Sequence, residues 1–202
     1  MSGTLALLAL AGYLAGSIPF GYLTGRLLLG VDVRRVGSGN IGATNVARAG
    51  GRTLGVAVLL LDAAKAIVPI LVARRLLGEG PEAELGAVTV AVAAFAGHLF
   101  PVWLGFRGGK GVATGFGIFL VLAPWAAVAG VAAWLVAYAS TGISSVGSLT
   151  GTAVAVIGAF ALHGVGRPIP WAGLAIGLLI YLRHRDNIRR ILSGEESRRM
   201  KV

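Results

Sequence analysis

The stretches Leu5 to about Leu23, Leu54 to Leu77 and Leu85 to about Trp103 are nearly continuous apolar runs, without the polar stripe a soluble surface helix would carry. A bilayer core asks for roughly 20 mostly apolar residues in a helix, because backbone polar groups there must be satisfied within the segment. Val112 to Tyr138 is long for one crossing and is divided at Pro124. The residue before proline disfavours helix, so this stretch reads as two short helices, Val112 to Leu122 and Pro124 to Tyr138. Ser145 to Leu162 and Trp171 to Arg183 bring the count to seven helical segments. Gly16, Ser17 and Pro19 interrupt the first of them, and the proline is expected to kink it. The expected fold is all-α: a polytopic membrane bundle of seven transmembrane helices, some short or broken, in a single domain over residues 1–202.

Composition agrees with that reading. A chain that is 56% hydrophobic and 13% charged is too apolar for an ordinary soluble domain, and its 32 glycines suit helices that approach closely in lipid. The N-terminus, M-S-G-T-L-A, lacks a basic n-region, which predicts a retained first span and not a cleaved signal. Absence of cysteine excludes disulfides, thiolate nucleophiles and Cys-based metal sites. The net charge of +10 lies beside apolar spans and does not interleave with aromatics, which argues for anionic lipid and against nucleic acid. With the Gly37 loop inside, 14 of the 18 Lys and Arg residues fall on the cytoplasmic side and Arg74, Arg75 and Arg167 fall outside. The positive-inside rule therefore puts the N-terminus outside and the C-terminus in the cytoplasm, with Arg198, Arg199 and Lys201 among the inner charges.

Three polar islands share that inner face. The first, Gly37 to Arg48, reads G-S-G-N-I-G-A-T-N-V-A-R. Its glycines Gly37, Gly39 and Gly42 can turn backbone N–H groups into an anion nest, and Ser38, Asn40, Thr44, Asn45 and Arg48 add donors, so a phosphate is the natural guest. The same glycines satisfy G-x-G-x-x-G, but no βαβ context surrounds them and a dinucleotide site is rejected. A plain connector would need only small polar residues, whereas this loop is dense in donors.

The second island, Phe106 to Thr114, sets Gly108, Gly109 and Lys110 ahead of a helix start, where anions are favoured. Leu104 and Gly111 stand where a Walker A loop needs other residues. Arg107 is explained by a positive-inside loop, but three glycines around Lys110 are not. The third island, Arg183 to Glu195, is a juxtamembrane basic segment whose arginines need only anionic lipid, at about 1 kcal/mol per charge. His184 and Asn187, three apart on one helical face, ask for more. Asp62 and Lys65, i and i+3 inside a span, are read as a structural ion pair, and His98 and His163 as satisfied structural histidines. The inner acids Asp32, Asp186, Glu195 and Glu196 have no metal-cluster spacing, so no metal and no cofactor are expected.

These islands resemble the three cytoplasmic motifs of the bacterial acyl-phosphate:glycerol-3-phosphate acyltransferases, the PlsY family. The likeness rests on S-G-N-I-G-A-T-N (Ser38 to Asn45), G-G-K-G-V-A-T (Gly108 to Thr114) and H-R-D-N-I-R-R-I-L-S-G-E (His184 to Glu195). It extends to G-S-I-P at Gly16, the Asp62 and Lys65 pair, and G-H-L-F-P at Gly97; Ala66, where glycine is expected, departs from it. The resemblance implies a multi-pass enzyme of the bacterial inner membrane that acts in phospholipid synthesis with its site toward the cytoplasm. It would transfer a fatty acyl group from acyl phosphate to the sn-1 hydroxyl of glycerol 3-phosphate, giving 1-acylglycerol 3-phosphate and phosphate. By motif match, Ser38, Arg48, Lys110 and His184 would be catalytic, and Gly37, Gly39, Asn40, Gly42, Thr44, Asn45, Gly108, Gly109 and Asn187 would bind substrate, with Asn40 and Asn45 supporting the loop. Partners would be those two small molecules and membrane lipid, with no obligate protein partner.

The residue chemistry suits this. Both substrates carry phosphate, and Arg48 and Lys110 can hold anions and stabilise charge on the acyl carbonyl. Acyl phosphate is already activated, so no acyl-enzyme is needed, and no nucleophile with an adjacent base is visible. The His-x4-Asp dyad of other glycerolipid acyltransferases is absent, since Trp103, Pro168 and Arg189 stand five residues after His98, His163 and His184. Two groups can take the hydroxyl proton: His184, or a phosphate oxygen of the acceptor, whose second pKa is about 6. The preferred assignment is the substrate phosphate, with His184 as binder and orienter. A transporter would place polar groups at the midplane in repeated halves, and a phosphotransferase would need clustered aspartates; neither pattern is present.

Overall fold

Proline and glycine set the ends of the helices. A computed structural model describes residues 3–196, and Arg198, Arg199 and Lys201 of the basic tail lie outside the described residues. The first span is broken, not merely kinked: α1 covers Gly3–Ser17, α2 covers Phe20–Leu28, and Pro19 stands between them. The next helices are α3 (Ala43–Gly50), α4 (Arg52–Leu77), α5 (Pro81–Leu99) and α6 (Val112–Leu122). After them come α7 (Pro124–Thr141), α8 (Ser144–His163), α9 (Pro168–Arg183) and α10 (Arg185–Leu192). Pro81, Pro124 and Pro168 each open a helix, because a fixed φ and a missing N–H cost nothing in the first turn. Two helices therefore begin earlier than their apolar runs, at Pro81 and not Leu85, and at Pro168 and not Trp171. Glu82 and Glu84 fall in the first turn of α5, where acids suit the helix dipole.

Among the described residues every regular element is helical. Five segments are long and apolar enough to cross a membrane: Gly3–Leu28, Arg52–Leu77, Pro81–Leu104, Pro124–Thr141 and Ser144–His163. Val112–Leu122 and Pro168–Arg183 are shorter apolar helices. The outer surface of these helices is apolar, with Leu60, Val68, Leu76, Val136 and Ile157 all exposed, as hydrocarbon solvent permits and water does not.

The chain divides into two compact units, one up to Val121 and one from Leu122. In the first, α5 packs on α1 and α4. Small residues bring these helices together: a β-carbon on Gly16 would strike the Ala94 carbonyl, and one on Gly97 the Tyr13 carbonyl. In the second, α8 packs between α7 and α9, with Gly147 against Trp134, Gly158 against Ala126 and Gly177 against Val156. Gly142 ends α7 with φ +70°, its N–H donating to the Tyr138 carbonyl at 2.8 Å.

Candidate active site

In the first unit, the segment leading into the Gly37 loop is clamped by charge. The Asp32 carboxylate accepts from the Arg34 main-chain N–H at 3.0 Å and from the Arg34 guanidinium at 2.7 Å, while the Tyr22 ring lies 4.7 Å from that guanidinium. The Arg34 guanidinium holds the Asp32 carboxyl well below the usual carboxylate range.

Beyond the clamp, Asn45 organises the loop. It is buried in the first turn of α3, and its amide nitrogen donates to the carbonyls of Val33 (2.8 Å), Val36 (3.0 Å) and Asn40 (2.8 Å). Its side-chain oxygen accepts the Ser38 N–H at 2.9 Å. Gly37, at φ +55°, lies so close to that oxygen that a β-carbon would collide with it. Beneath the loop Val33, Ile41, Val46 and Val58 form a small buried core. Turned away from it, Ser38 and Thr44 are exposed and Arg48 is half-buried, with Thr44 and Arg48 one helical turn apart.

Asn45 supports the loop, its amide engaged by the loop backbone. Four of the glycine N–H groups are engaged within the fold as well. The N–H of Gly39 donates to Val36 O, that of Gly42 to the Asn40 side chain, and those of Gly108 and Gly109 to Leu99 O and His98 O. What Gly108 and Gly109 supply is close approach: β-carbons there would collide with the His98 carbonyl and the His98 ring. The hydroxyl and cationic side chains of these two islands include Ser38, Thr44, Arg48 and Lys110.

Lys110 is half-buried and stands two residues before α6. Its loop is folded back on the end of α5, and Phe106, at φ +63°, is held there by its N–H to the Pro101 carbonyl at 2.9 Å. Leu104 of the same segment packs on the core of Val33, Ile41, Val46 and Val58, so the first two islands rest on one apolar base. Asp62 and Lys65 form the expected ion pair at 2.8 Å.

In the second unit, His184 is the joint between α9 and α10 and is 2% exposed. Its Nδ1 lies 2.8 Å from the Ile180 carbonyl, an acceptor only, so Nδ1 carries a proton. Asn187, also buried, donates from its amide nitrogen to the Glu196 carboxylate at 2.6 Å. The Ser145 hydroxyl and Arg190 Nε each donate to the same carboxylate at 2.7 Å. Burial pushes the Glu196 carboxyl up, but these three hydrogen bonds outweigh it and leave it below its ordinary value. Among the described residues no three His, Asp or Glu side chains gather as a metal site requires.

Residues 6–194 match the family model for glycerol-3-phosphate acyltransferase. The chain belongs to that family. A glycerol-3-phosphate acyltransferase of Anaeromyxobacter dehalogenans (strain 2CP-C) is 72% identical over 193 residues, covering 96% of each chain. One from Myxococcus xanthus (strain DK1622) is 50% identical, covering 95% of this chain and 97% of its own. A crystal structure of PlsY, an integral membrane glycerol 3-phosphate acyltransferase in its glycerol 3-phosphate form, superposes with a TM-score of 0.89 at 39% identity over 97% of this chain and 96% of that one. Its lysophosphatidic acid form gives 0.86 at 37% identity, over 97% and 95%. This chain is accordingly an integral membrane protein whose family activity is acyl transfer to glycerol 3-phosphate.

Two residues that matter to this geometry were passed over in the sequence, where they counted only as acids unsuited to a metal. Asp32 and Glu196 are carboxylates within strongly basic segments, and an acid set close to arginines is the signal that each is an intramolecular clamp.

Proposed function

We propose that this acyltransferase uses acyl phosphate as donor and esterifies the sn-1 hydroxyl of glycerol 3-phosphate, releasing 1-acylglycerol 3-phosphate and inorganic phosphate. The observation that carries this reading is that the Ser38–Arg48 and Gly108–Lys110 loops rest on one apolar core, so Arg48 and Lys110 are offered from a common base to a reaction in which both substrates are phosphorylated. The acceptor oxygen attacks the acyl carbonyl, the ester C–O bond forms, the carbonyl-to-phosphate bond breaks, and phosphate leaves. Arg48 and Lys110 neutralise phosphate and stabilise the carbonyl oxygen as charge builds there, while Ser38 and Thr44 add hydroxyl donors. His184 and Asn187 enter by motif. In this reading His184 orients the substrate hydroxyl and a phosphate oxygen of the acceptor takes the proton.

In this reading the two compact units work as one catalytic domain, which the family match across both supports. The five long spans and the two short apolar helices α6 and α9 make seven crossings, with the N-terminus outside and the polar islands facing the cytoplasm of a bacterial inner membrane. Cysteines introduced at Gly166 and Ser193, in a chain with none of its own, should react with an impermeant reagent from opposite sides. Labelling of both from one side removes the crossing by α9. The direct test of function is purified protein with glycerol 3-phosphate and either acyl phosphate or acyl-CoA. Acyl phosphate should release inorganic phosphate and form ester, while comparable turnover with acyl-CoA refutes the donor assignment.

A further inference from the structure

We propose that His98, buried beside the Asp62–Lys65 pair, is a positioning residue that fixes the Gly108–Gly109 backbone and through it Lys110. The inference rests on the reading of Lys110 as an anion-binding group. Three buried ionisable side chains meet in the apolar interior of the first unit. Asp62 Oδ1 is 2.8 Å from Lys65 Nζ and 3.8 Å from His98 Nδ1, and each of the three side chains is at most 4% exposed. Such a pair is a poor means of stabilisation, because desolvation offsets its attraction. What it does supply is fixed direction.

The cluster joins four elements. Lys65 Nζ donates to the Ile18 carbonyl at 3.0 Å, in the break that Pro19 opens between α1 and α2. Thr114, in the first turn of α6, donates its hydroxyl to the Asp62 main-chain carbonyl at 2.9 Å. His98, in the last turn of α5, accepts the Gly109 N–H on its carbonyl at 3.3 Å. Its ring Nε2 also lies against Gly109, where a β-carbon would collide with it. Ring and carbonyl of one residue thus hold the immediate neighbour of Lys110 from two sides. On the far side, α2 leads from the break to the first loop, with Gly21 against the Ile41 carbonyl and Gly25 against Val33. The buried pair thus ties α4 to the break that leads to the first loop, and His98 beside it holds the second.

The test is a double-mutant cycle on turnover. His98→Ala should lower kcat by about 30-fold or more with KM changed only a few-fold, since a displacement near 1 Å costs roughly 100-fold in rate. Val90→Ala, a cavity in the same helix away from the cluster, should lower thermal stability comparably yet leave kcat within about threefold. In a Lys110→Arg background, already impaired, His98→Ala should cost less than about threefold more, because its effect passes through the same side chain. If His98→Ala does not fold, His98→Gln, which keeps the side chain's bulk, is read in the same cycle. A full, additive loss in the Lys110→Arg background, or a kcat no lower than that of Val90→Ala at equal stability, overturns the proposal. Failure of the underlying reading is separate: there Lys110→Ala alone retains near-native turnover.

Discussion

The Gly37–Arg48 loop and the His184–Glu196 tail are both polar segments beside apolar helices, and they are made rigid by opposite means. The loop closes on a neutral amide, Asn45, which donates to three carbonyls and accepts one N–H, so it satisfies both kinds of backbone group without charge. The tail closes on a carboxylate, Glu196, which can only accept and must recruit a hydroxyl, an amide and a guanidinium. A carbonyl-lined knot calls for a group that donates, and a basic tail calls for one that accepts. The first arrangement has no proton to lose at its centre; the second has one to gain.

The strongest way to break the comparison is to exchange the chemistry of the hubs. Asn45→Asp keeps the size of the side chain but turns a carboxylate toward the carbonyls of Val33, Val36 and Asn40, each then left without its donor. Each unmade buried hydrogen bond costs roughly 1–3 kcal/mol. Turnover should fall by more than about 100-fold as the loop opens, and phosphate release checks it; near-native turnover would mean that Asn45 is not the organiser of the loop.

A smaller effect is expected at His184, because its ring lies at a joint and not at a hub. His184→Ala should weaken turnover by about 10–100-fold, toward or below the lower end of the roughly 100- to 10,000-fold that a general base contributes. If the acceptor phosphate takes the proton, the rising limb near pH 6 persists in the mutant. Disappearance of that limb, with the phosphate titration unchanged, makes His184 the general base instead.

Much of this architecture was legible in the residues, for a physical reason. Apolar runs and prolines act locally, so the division at Pro124 and the broken first span follow from the chain itself. The helix Ala43–Gly50 did not, since A-T-N-V-A-R-A-G has few apolar residues and its only fully buried pair, Asn45 and Val46, is fixed by packing on a core drawn from distant segments. The glycines of the first two islands were read as anion nests because φ freedom is a property of the residue, whereas the destination of each N–H depends on the fold. Glu196 was the least legible: it reaches Ser145, 51 residues away, only because the chain turns back after α10, where the Glu195 and Glu196 N–H groups both donate to the Arg190 carbonyl.

Glu196→Gln sharpens the comparison from the other side. Glutamine retains an acceptor for Ser145 and Asn187 but gives up the charge that Arg190 faces at 2.7 Å, and charge-assisted hydrogen bonds are about twice as strong as neutral ones. Turnover should drop by roughly tenfold, well short of the Asn45→Asp loss. A loss as deep as that of Asn45→Asp would show that charge, and not hydrogen-bond count, governs the tail.

The smallest effect is one of pH, and its sign follows from the direction in which Glu196 is displaced. Its carboxyl titrates below its ordinary value in the folded protein, so the ionised form is the one the fold stabilises. That contribution is complete above the ordinary carboxylate range and is lost as pH falls through the folded value. Raw activity on the acid side also reflects protonation of the substrate phosphates, but this affects wild type and Glu196→Gln alike and cancels in their ratio. Measured from pH 7 downward, the ratio should stay flat through the ordinary carboxylate range and shrink toward one only below it, as wild type acquires the neutral hub its variant always has. The same ratio taken for a variant outside the tail, such as Val90→Ala, should not shrink in this window. A wild-type to Glu196→Gln ratio that stays constant well below the ordinary carboxylate range, with the protein still folded and the carboxyl shown to have titrated, would place the Glu196 hydrogen bonds outside the control of activity.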